Sequence, residues 1–472
     1  MIEQRDRRPA IAPRSAVVAA VWSTLWPGLG QLYLGRRRAA AILGLPLLAL
    51  AVFVVWRALP GVDLLAVQIF QPGIALVVIA LTIAFCALRL FAMIDAFARG
   101  TVRVREAGSQ ATRFESPWHS RRAVMILAGV VAIVLLVHGL VVWGAYSFYD
   151  AGSNIFVGSN PTQPSGTSPS DPQGVGPLPT PYATPATPLS RINTLLIGAD
   201  SGMGYQHSLT DTMIVVSVDP VSKQTVMLSF PRDLSRFQMY NGGTYPGKMN
   251  SLVNAALADP RQYPDGGIGT LTREIGFLLG VPIHYYAFVN LAGFKTMIDV
   301  VGGVDVVNPR DIADPVYQFP DGHVGFSLSA GQHHLDGRTA LAYVRSRLGA
   351  GDNDFTRAGR QQELLVALRS KLTQPSVIPN LPALLKALSQ TIQTDYPVGQ
   401  LSAGLSLAKE IDGAAIDHIV LGPPYARNPP PNQSGGVYML VMDMKRMARL
   451  SLKLFGSDSA YQNVTSAGSS AP

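Results

Sequence analysis

The sequence predicts an all-α transmembrane region followed by an extracytoplasmic α/β layered domain, with a central mixed β-sheet flanked by helices. Three observations carry this expectation. Apolar runs long enough to cross a bilayer are confined to the first third of the 472 residues. A stretch dense in Pro, Ser, Thr and Gly follows them. Beyond it, short β-branched runs alternate with helical periodicity, the pattern of a sheet layered with helices.

The membrane region is expected over residues 1–149, with spans at about 39–57, 71–93 and 123–145. Each holds enough consecutive apolar residues to cross the hydrocarbon core. Their flanks orient them. Arg36, Arg37 and Arg38 precede the first span, and six arginines lie between Arg99 and Arg122. The loop 57–65 carries one arginine and one aspartate. The positive-inside rule places both arginine-rich segments in the cytoplasm and everything after the third span outside. The earlier segment AVVAAVWSTLWPGLGQLYLG, residues 16–35, is interrupted by Pro27, Gly28 and Gly30 and has basic flanks. A re-entrant or interfacial hairpin fits that charge pattern; a fourth span is the alternative and would relocate only the N-terminus.

Charge and cysteine usage exclude some functions. Before Asp150 there are fifteen Lys/Arg against six Asp/Glu; from Asp150 onward there are twenty-three against twenty-four. A nucleic-acid partner is not expected, because the folded domain lacks the positive field that partner requires. Cys86 is the only cysteine and sits in an apolar run, so an intramolecular disulfide and a cysteine metal site are both excluded.

Residues 150–190 read as an extended linker, too poor in large apolar side chains to offset ordering. The layered domain is expected over 191–457 and a disordered tail over 458–472. NTLLIGAD, TMIVVSVD and TVMLSFPRD read as strands, as do HYYAFVN and GGVDVVN. Helices are expected over Asn250–Leu257, Ile268–Leu279, Asp336–Val344, Phe355–Leu372 and Leu381–Ile392.

Chemistry is expected at the strand ends and in one arginine-rich segment. Asp200 closes the first strand, Asp211 opens the second, and Arg232 and Asp233 close the third. Two carboxylates at a sheet rim suit a hard divalent cation such as Mg²⁺; equally, Asp after a strand caps turns through its own backbone bonds. The segment YVRSRLGAGDNDFTRAGRQQ, Tyr343–Gln362, holds Arg345, Arg347, Arg357 and Arg360. An extended turn after Val344 would put Arg345 and Arg347 on one face. Arg357 and Gln361 are i,i+4 neighbours in the first turns of a helix, with Asp354 as the expected N-cap. Guanidinium groups at a helix start oppose its dipole, which suits a bound phosphate; ion pairs with Asp352 and Asp354 on a solvated surface are the other reading. His207, His333 and His334 have no metal-ligand company and read as turn or surface residues.

The order NTLLIGAD, TDTMIVVSVDP, SFPRD, VVGGVDV, LDGRTALAYVRSR, DFTRAGRQQ resembles the LytR-CpsA-Psr family of cell-wall phosphotransferases, over roughly Ile192 to Leu372 with a weaker extension to Leu454. The resemblance implies transfer of a glycopolymer from an undecaprenyl-pyrophosphate carrier to peptidoglycan, at the outer face of the plasma membrane. It implies a long hydrophobic pocket for the prenyl chain. It implies that Asp200 and Asp211 hold Mg²⁺ or Mn²⁺ or serve the acceptor hydroxyl, and that Arg232, Arg345, Arg347, Arg357, Arg360 and Gln361 bind phosphate. Leu209 stands where the family usually has arginine. That departure is the feature that favours the alternative of a binding module without chemistry; hydrolysis of lipid pyrophosphates is the third reading.

Overall fold

The computed structural model describes residues 14–59, 68–105, 112–156, 191–199, 209–372, 374 and 381–462. The chain divides into two compact units, Met1–Asp150 and Ala151–Pro472.

In the first unit, three helices are long and apolar enough to cross a membrane: Arg37–Arg57, Pro72–Arg99 and Arg121–Ile155. The segment over residues 16–35 forms two short helices, Ala16–Leu25 and Leu29–Tyr33, each too short to cross. Gln31 pins this hairpin to the second long helix. It is fully buried, and its Nε2 donates to the Ala92 carbonyl at 2.8 Å and to Asp95 Oδ2 at 3.2 Å. Arg36 Nη1 donates to the same carboxylate oxygen at 2.7 Å.

Two expectations are corrected here. The first unit is not all-α, because Val102–Arg105 pairs antiparallel with Thr112–Glu115. The alternation Val102, Arg103, Val104, Arg105 has the period of a strand rather than of a helix. The third long helix also continues to Ile155, so the linker does not begin at 150. The sequence SFYDAGSNI contains no proline to stop the helix. The remainder of the expected linker, 157–190, lies outside the described residues.

The second unit is built on a six-stranded sheet. Its strands are β1 (Ile192–Ala199), β2 (Thr210–Val218), β3 (Thr225–Ser229), β4 (Tyr285–Asn290), β5 (Ile392–Thr394) and β6 (Ile416–Val420). They lie in the order β5-β4-β1-β2-β3-β6. The β1–β4 and β3–β6 pairs are parallel and the others antiparallel, so the sheet is mixed as expected. Helices α1 (Gly266–Leu279), α2 (Leu291–Val300), α3 (Gly337–Arg345), α4 (Asp354–Leu372), α5 (Leu381–Thr391) and α6 (Met444–Phe455) form the layers. The sheet's period of two divides its side chains between two sides. Leu195, Ile197 and Ala199 of β1 join Leu271, Ile275 and Leu278 of α1 and Met447 and Leu450 of α6 in one core. A second core gathers Phe294, Met297 and Ile298 of α2, Tyr343 and Val344 of α3, and Leu364 and Leu368 of α4.

Two-stranded pairs decorate this frame, including Ser235–Gln238 with Thr244–Lys248 and Val304–Asn308 with Gly331–Leu335. The expected disordered tail is corrected at its start. Ser459 Oγ lies 2.7 Å from Ser451 Oγ, and the Tyr461 hydroxyl donates to the Leu278 carbonyl at 3.1 Å. The Tyr461 ring covers Gly280, whose φ of 74° and lack of a side chain leave room for it. The packed domain therefore reaches Gln462; residues 463–472 lie outside the described residues.

Candidate functional site

The arginine segment is shaped by the carboxylates around it. Asp336 caps α3 by accepting from Thr339 N at 2.7 Å. The chain leaves the helix at Ser346, with φ −58° and ψ 139°. Asp314 fixes this exit by accepting from Ser346 Oγ at 2.8 Å, Arg347 N at 3.1 Å and Leu348 N at 3.2 Å. Arg345 and Arg347, on either side of the break, line the same cavity. The cap of α4 is Asn353, not Asp354: its Oδ1 accepts from Phe355 N at 2.9 Å and Thr356 N at 3.0 Å. Asn353 precedes the helix and reaches two orphan N–H groups. Asp354 is thereby free to face the arginines from the first turn.

Asp354 Oδ1 is the centre of a charge cluster. It lies 3.1 Å from Arg357 Nη2, 3.5 Å from Arg232 Nε and 3.8 Å from Arg347 Nη1. Arg232 Nη1 donates to Asp211 Oδ1 at 2.9 Å, and its Nε lies 3.6 Å from Asp233 Oδ2. Arg357 Nη2 donates to the Asp211 carbonyl at 3.4 Å. These side chains are close without being satisfied. Asp354 Oδ1, Arg232 Nε and Arg357 Nε are buried, and none of the three makes a hydrogen bond. Arg357 Nη2 and Asp354 Oδ1 attract at 3.1 Å, but the donor is misaligned for a hydrogen bond. Unsatisfied buried donors are costly, and phosphate oxygens are the partners that guanidinium forks fit. Burial lowers the Arg357 pKa, with Asp354 working against it. Burial also acts to lower that of Arg232, but Asp211, Asp354 and Asp233 outweigh it and raise it.

This cluster forms one end of a cavity of about 400 Å³. Its polar end presents Asp211, Arg232, Arg345, Arg347, Arg357 and Gln361. The rest of the wall is apolar: Leu196, Ile197 and Gly198 of β1, Ala287 and Val289 of β4, Phe294 and Met297 of α2, and Leu364, Leu365, Leu368 and Leu372 of α4. Gly198 is required here, since a side chain would meet Thr212 Cβ at 2.9 Å. One face of α4 changes character along its length. Arg357 and Gln361 stand at the polar end and four leucines follow at helical spacing, so a rise of ~1.5 Å per residue carries the stripe over about 22 Å.

The predicted site residues separate into three groups. Asp211, Arg232, Arg345, Arg347, Arg357 and Gln361 come together in the cavity wall. Gln361 Nε2 also donates to the Val344 carbonyl at 3.2 Å. Arg360 does not join that wall. Its guanidinium is held by Asp352, at 3.3 Å, and by the Ser346 carbonyl, and it lies over the Tyr343 ring. Asp352, itself buried, also pairs with Arg310 at 2.5 Å. Asp200 and His207 lie outside the described residues. His334 pairs with Asp305 at 2.7 Å on the surface.

Two positioning features were not expected. Gln362 is fully buried, and its Nε2 donates to Ser229 Oγ at 2.8 Å and to the Ile419 carbonyl at 3.1 Å, stapling α4 to β3 and β6. Asp233 accepts from Lys248 Nζ at 2.5 Å. Among the described residues no group of three or more His, Cys, Asp and Glu side chains is arranged to hold a metal. Asp211 brings one carboxylate to the polar end, the donor type that Mg²⁺ takes, and its Oδ1 already accepts from Arg232.

A family model, the LytR_cpsA_psr family, matches residues 181–455. Among curated relatives, the chain is 31% identical over 221 residues to the polyisoprenyl-teichoic acid–peptidoglycan teichoic acid transferase TagU of Halalkalibacterium halodurans, covering 47% of this chain and 65% of that one. It is 32% identical over 228 residues to TagV of Bacillus subtilis, a protein of the same description, covering 46% and 54%. The matches thus span 54% and 65% of those relatives' lengths. The crystal structure of B. subtilis TagV is 26% identical, covering 56% of this chain and 96% of that one, with a TM-score of 0.45.

Proposed function

The chain belongs to the LytR-CpsA-Psr family, and from that premise we propose that it transfers a glycopolymer from a polyprenyl-pyrophosphate carrier, of the undecaprenyl class, to a hydroxyl of peptidoglycan. The observation that carries this reading is the continuity of a guanidinium-rich end with an apolar channel in one cavity. A lipid pyrophosphate has that same polarity. Arg232, Arg345, Arg347 and Arg357 line the polar end, and guanidinium forks fit phosphate oxygens. In the same reading the three long apolar helices embed in the plasma membrane, with the second unit outside it.

The acceptor hydroxyl forms a new P–O bond to the polymer-bearing phosphorus, the phosphoanhydride bond breaks, and prenyl phosphate leaves. Such transfers depend on positioning and on neutralising charge over the phosphoryl oxygens. Arg232, Arg357 and Arg347 are assigned to those oxygens, since all three line the polar end of the cavity. Arg345 and Gln361 line the same end and orient the bridging phosphate. Asp211, with Asp200, is assigned to Mg²⁺ or Mn²⁺, or to the proton of the acceptor hydroxyl. When bound, the cation supplies further charge neutralisation on phosphate oxygens.

The test incubates the full-length protein with a synthetic prenyl-pyrophosphoryl oligosaccharide, peptidoglycan fragments and Mg²⁺, and identifies products by mass spectrometry. A phosphodiester-linked adduct is expected. Hydrolysed donor without adduct would replace this reading with a lipid pyrophosphatase. Donor binding without turnover would make the protein a glycolipid-binding module, a reading that the exposed Leu209, in the position of the family's arginine, favours. Restored turnover in Leu209→Arg would then mark the native site as degenerate.

A further inference from the structure

We propose that Tyr438, backed by Lys248, forms the subsite that seats a pyranose ring of the acceptor glycan; this rests on the transferase reading above. The prenyl chain is assigned to the apolar cavity, so an acceptor approaching in line arrives from the other side of the phosphates. Arg232 stands at that boundary. Its Nη1 bonds Asp211 in the cavity wall, while its Nε faces Asp233 at 3.6 Å. Asp233 holds Lys248 at 2.5 Å, and Lys248 Nζ lies 5.9 Å from the centre of the Tyr438 ring. Tyr438 is 47% exposed and is not part of the cavity wall.

The segments on either side of Tyr438 are held by backbone bonds. Leu440 N donates to the Asp233 carbonyl at 2.9 Å, and Ser235 N to the Leu440 carbonyl at 2.8 Å. Arg236 Nη1 reaches across to the Gln433 carbonyl at 2.8 Å and ties down the preceding loop. A half-exposed aromatic face therefore stands beside Lys248, within electrostatic reach of Arg232. The Tyr438 hydroxyl is perturbed by the same charges: burial first, then Asp233 and Asp354, raise its pKa, with Arg232 opposing. An aromatic face covers the C–H side of a sugar ring, and a neighbouring ammonium donates to its hydroxyls.

The test titrates full-length protein with a disaccharide muropeptide by calorimetry, which requires no turnover. Tyr438→Ala is expected to bind about tenfold more weakly, and Tyr438→Phe, which keeps the face, to bind like wild type. In turnover, the acceptor KM is expected to rise about tenfold in Tyr438→Ala, without a matching rise in the donor KM. Equal binding by Tyr438→Ala, no binding by wild type, or a change in the donor KM alone would each overturn the subsite. Muropeptide binding that depends on Tyr438, in a wild type that makes no adduct, supports the subsite and defeats the transferase reading.

Discussion

Arg232 donates from Nη1 to Asp211 Oδ1 at 2.9 Å, joining the start of one central strand to the exit of the next. The pair sets the polar limit of the cavity and leaves Arg232 Nε unsatisfied. Asp211→Asn keeps the shape but removes the charge. It is expected to lower transfer by about a hundredfold or more, by the scale of losing one charged group at a phosphoryl site. Product formation under saturating donor checks this, and chelation of divalent cations is expected to abolish transfer in the wild type.

Arg357→Lys tests the fork. Lysine retains charge but not two parallel donors, so transfer is expected to fall by roughly one to two orders of magnitude, with the protein's Tm little changed. Wild-type rates in Arg357→Lys would remove Arg357 from the phosphate contacts.

Leu365→Trp tests the channel. Leu365 lines the cavity from α4, and an indole there fills space without adding charge. A long-chain prenyl donor is expected to bind at least about tenfold more weakly while a short-chain donor is nearly unaffected, since each buried CH₂ contributes ~0.8 kcal/mol. Equal losses for both donors would count against the channel as a tail site.

Asp352→Ala tests the structural role given to Arg360. Asp352 is almost wholly buried between Arg310 and Arg360. Removing it leaves a buried guanidinium without its partner, which costs about 3–5 kcal/mol. A large drop in Tm is expected, and Arg360→Met is expected to retain donor binding better than Arg357→Met does.

Glu274 predicts a pH dependence of stability. It is fully buried on α1; its Oε2 accepts from Tyr240 N at 3.1 Å, and Oε1 has no partner. Burial pushes its pKa up to about 8, with the Tyr240 bond opposing. The folded state therefore holds a proton that the unfolded state has lost. Stability is expected to fall as pH rises between about 4.5 and 8, and to level off above that. Glu274→Gln is expected to flatten this decline, as thermal melts across that range would show.

Much of this was legible in the residues. The runs of β1, β2 and β3 are legible because they are short, rich in β-branched residues and bounded by polar and turn residues. The i,i+4 relation of Arg357 and Gln361 puts both on the cavity face of α4. Arg360 departs from that face because it lies three residues from Arg357 and rotates about 60° the other way, where the buried Asp352 receives it. Pairing with Asp352 is one of the two readings the sequence leaves open; that the pair is buried rather than solvated is the tertiary fact with no local signal. The same holds for Lys248 and Tyr438, which come together only when two distant segments meet across Asp233. Tyr461 looked like part of a loose tail because the gap above Gly280 exists only in the folded layer.

Because α4 carries both the arginine fork and the leucine stripe on one unbroken helix, it works as a ruler. The spacing between a ligand's charged head and its greasy tail is read in whole residues of helical rise. Adding a single residue between Gln361 and Leu364 would swing the stripe through ~100° and leave each half intact but aimed at different substrates.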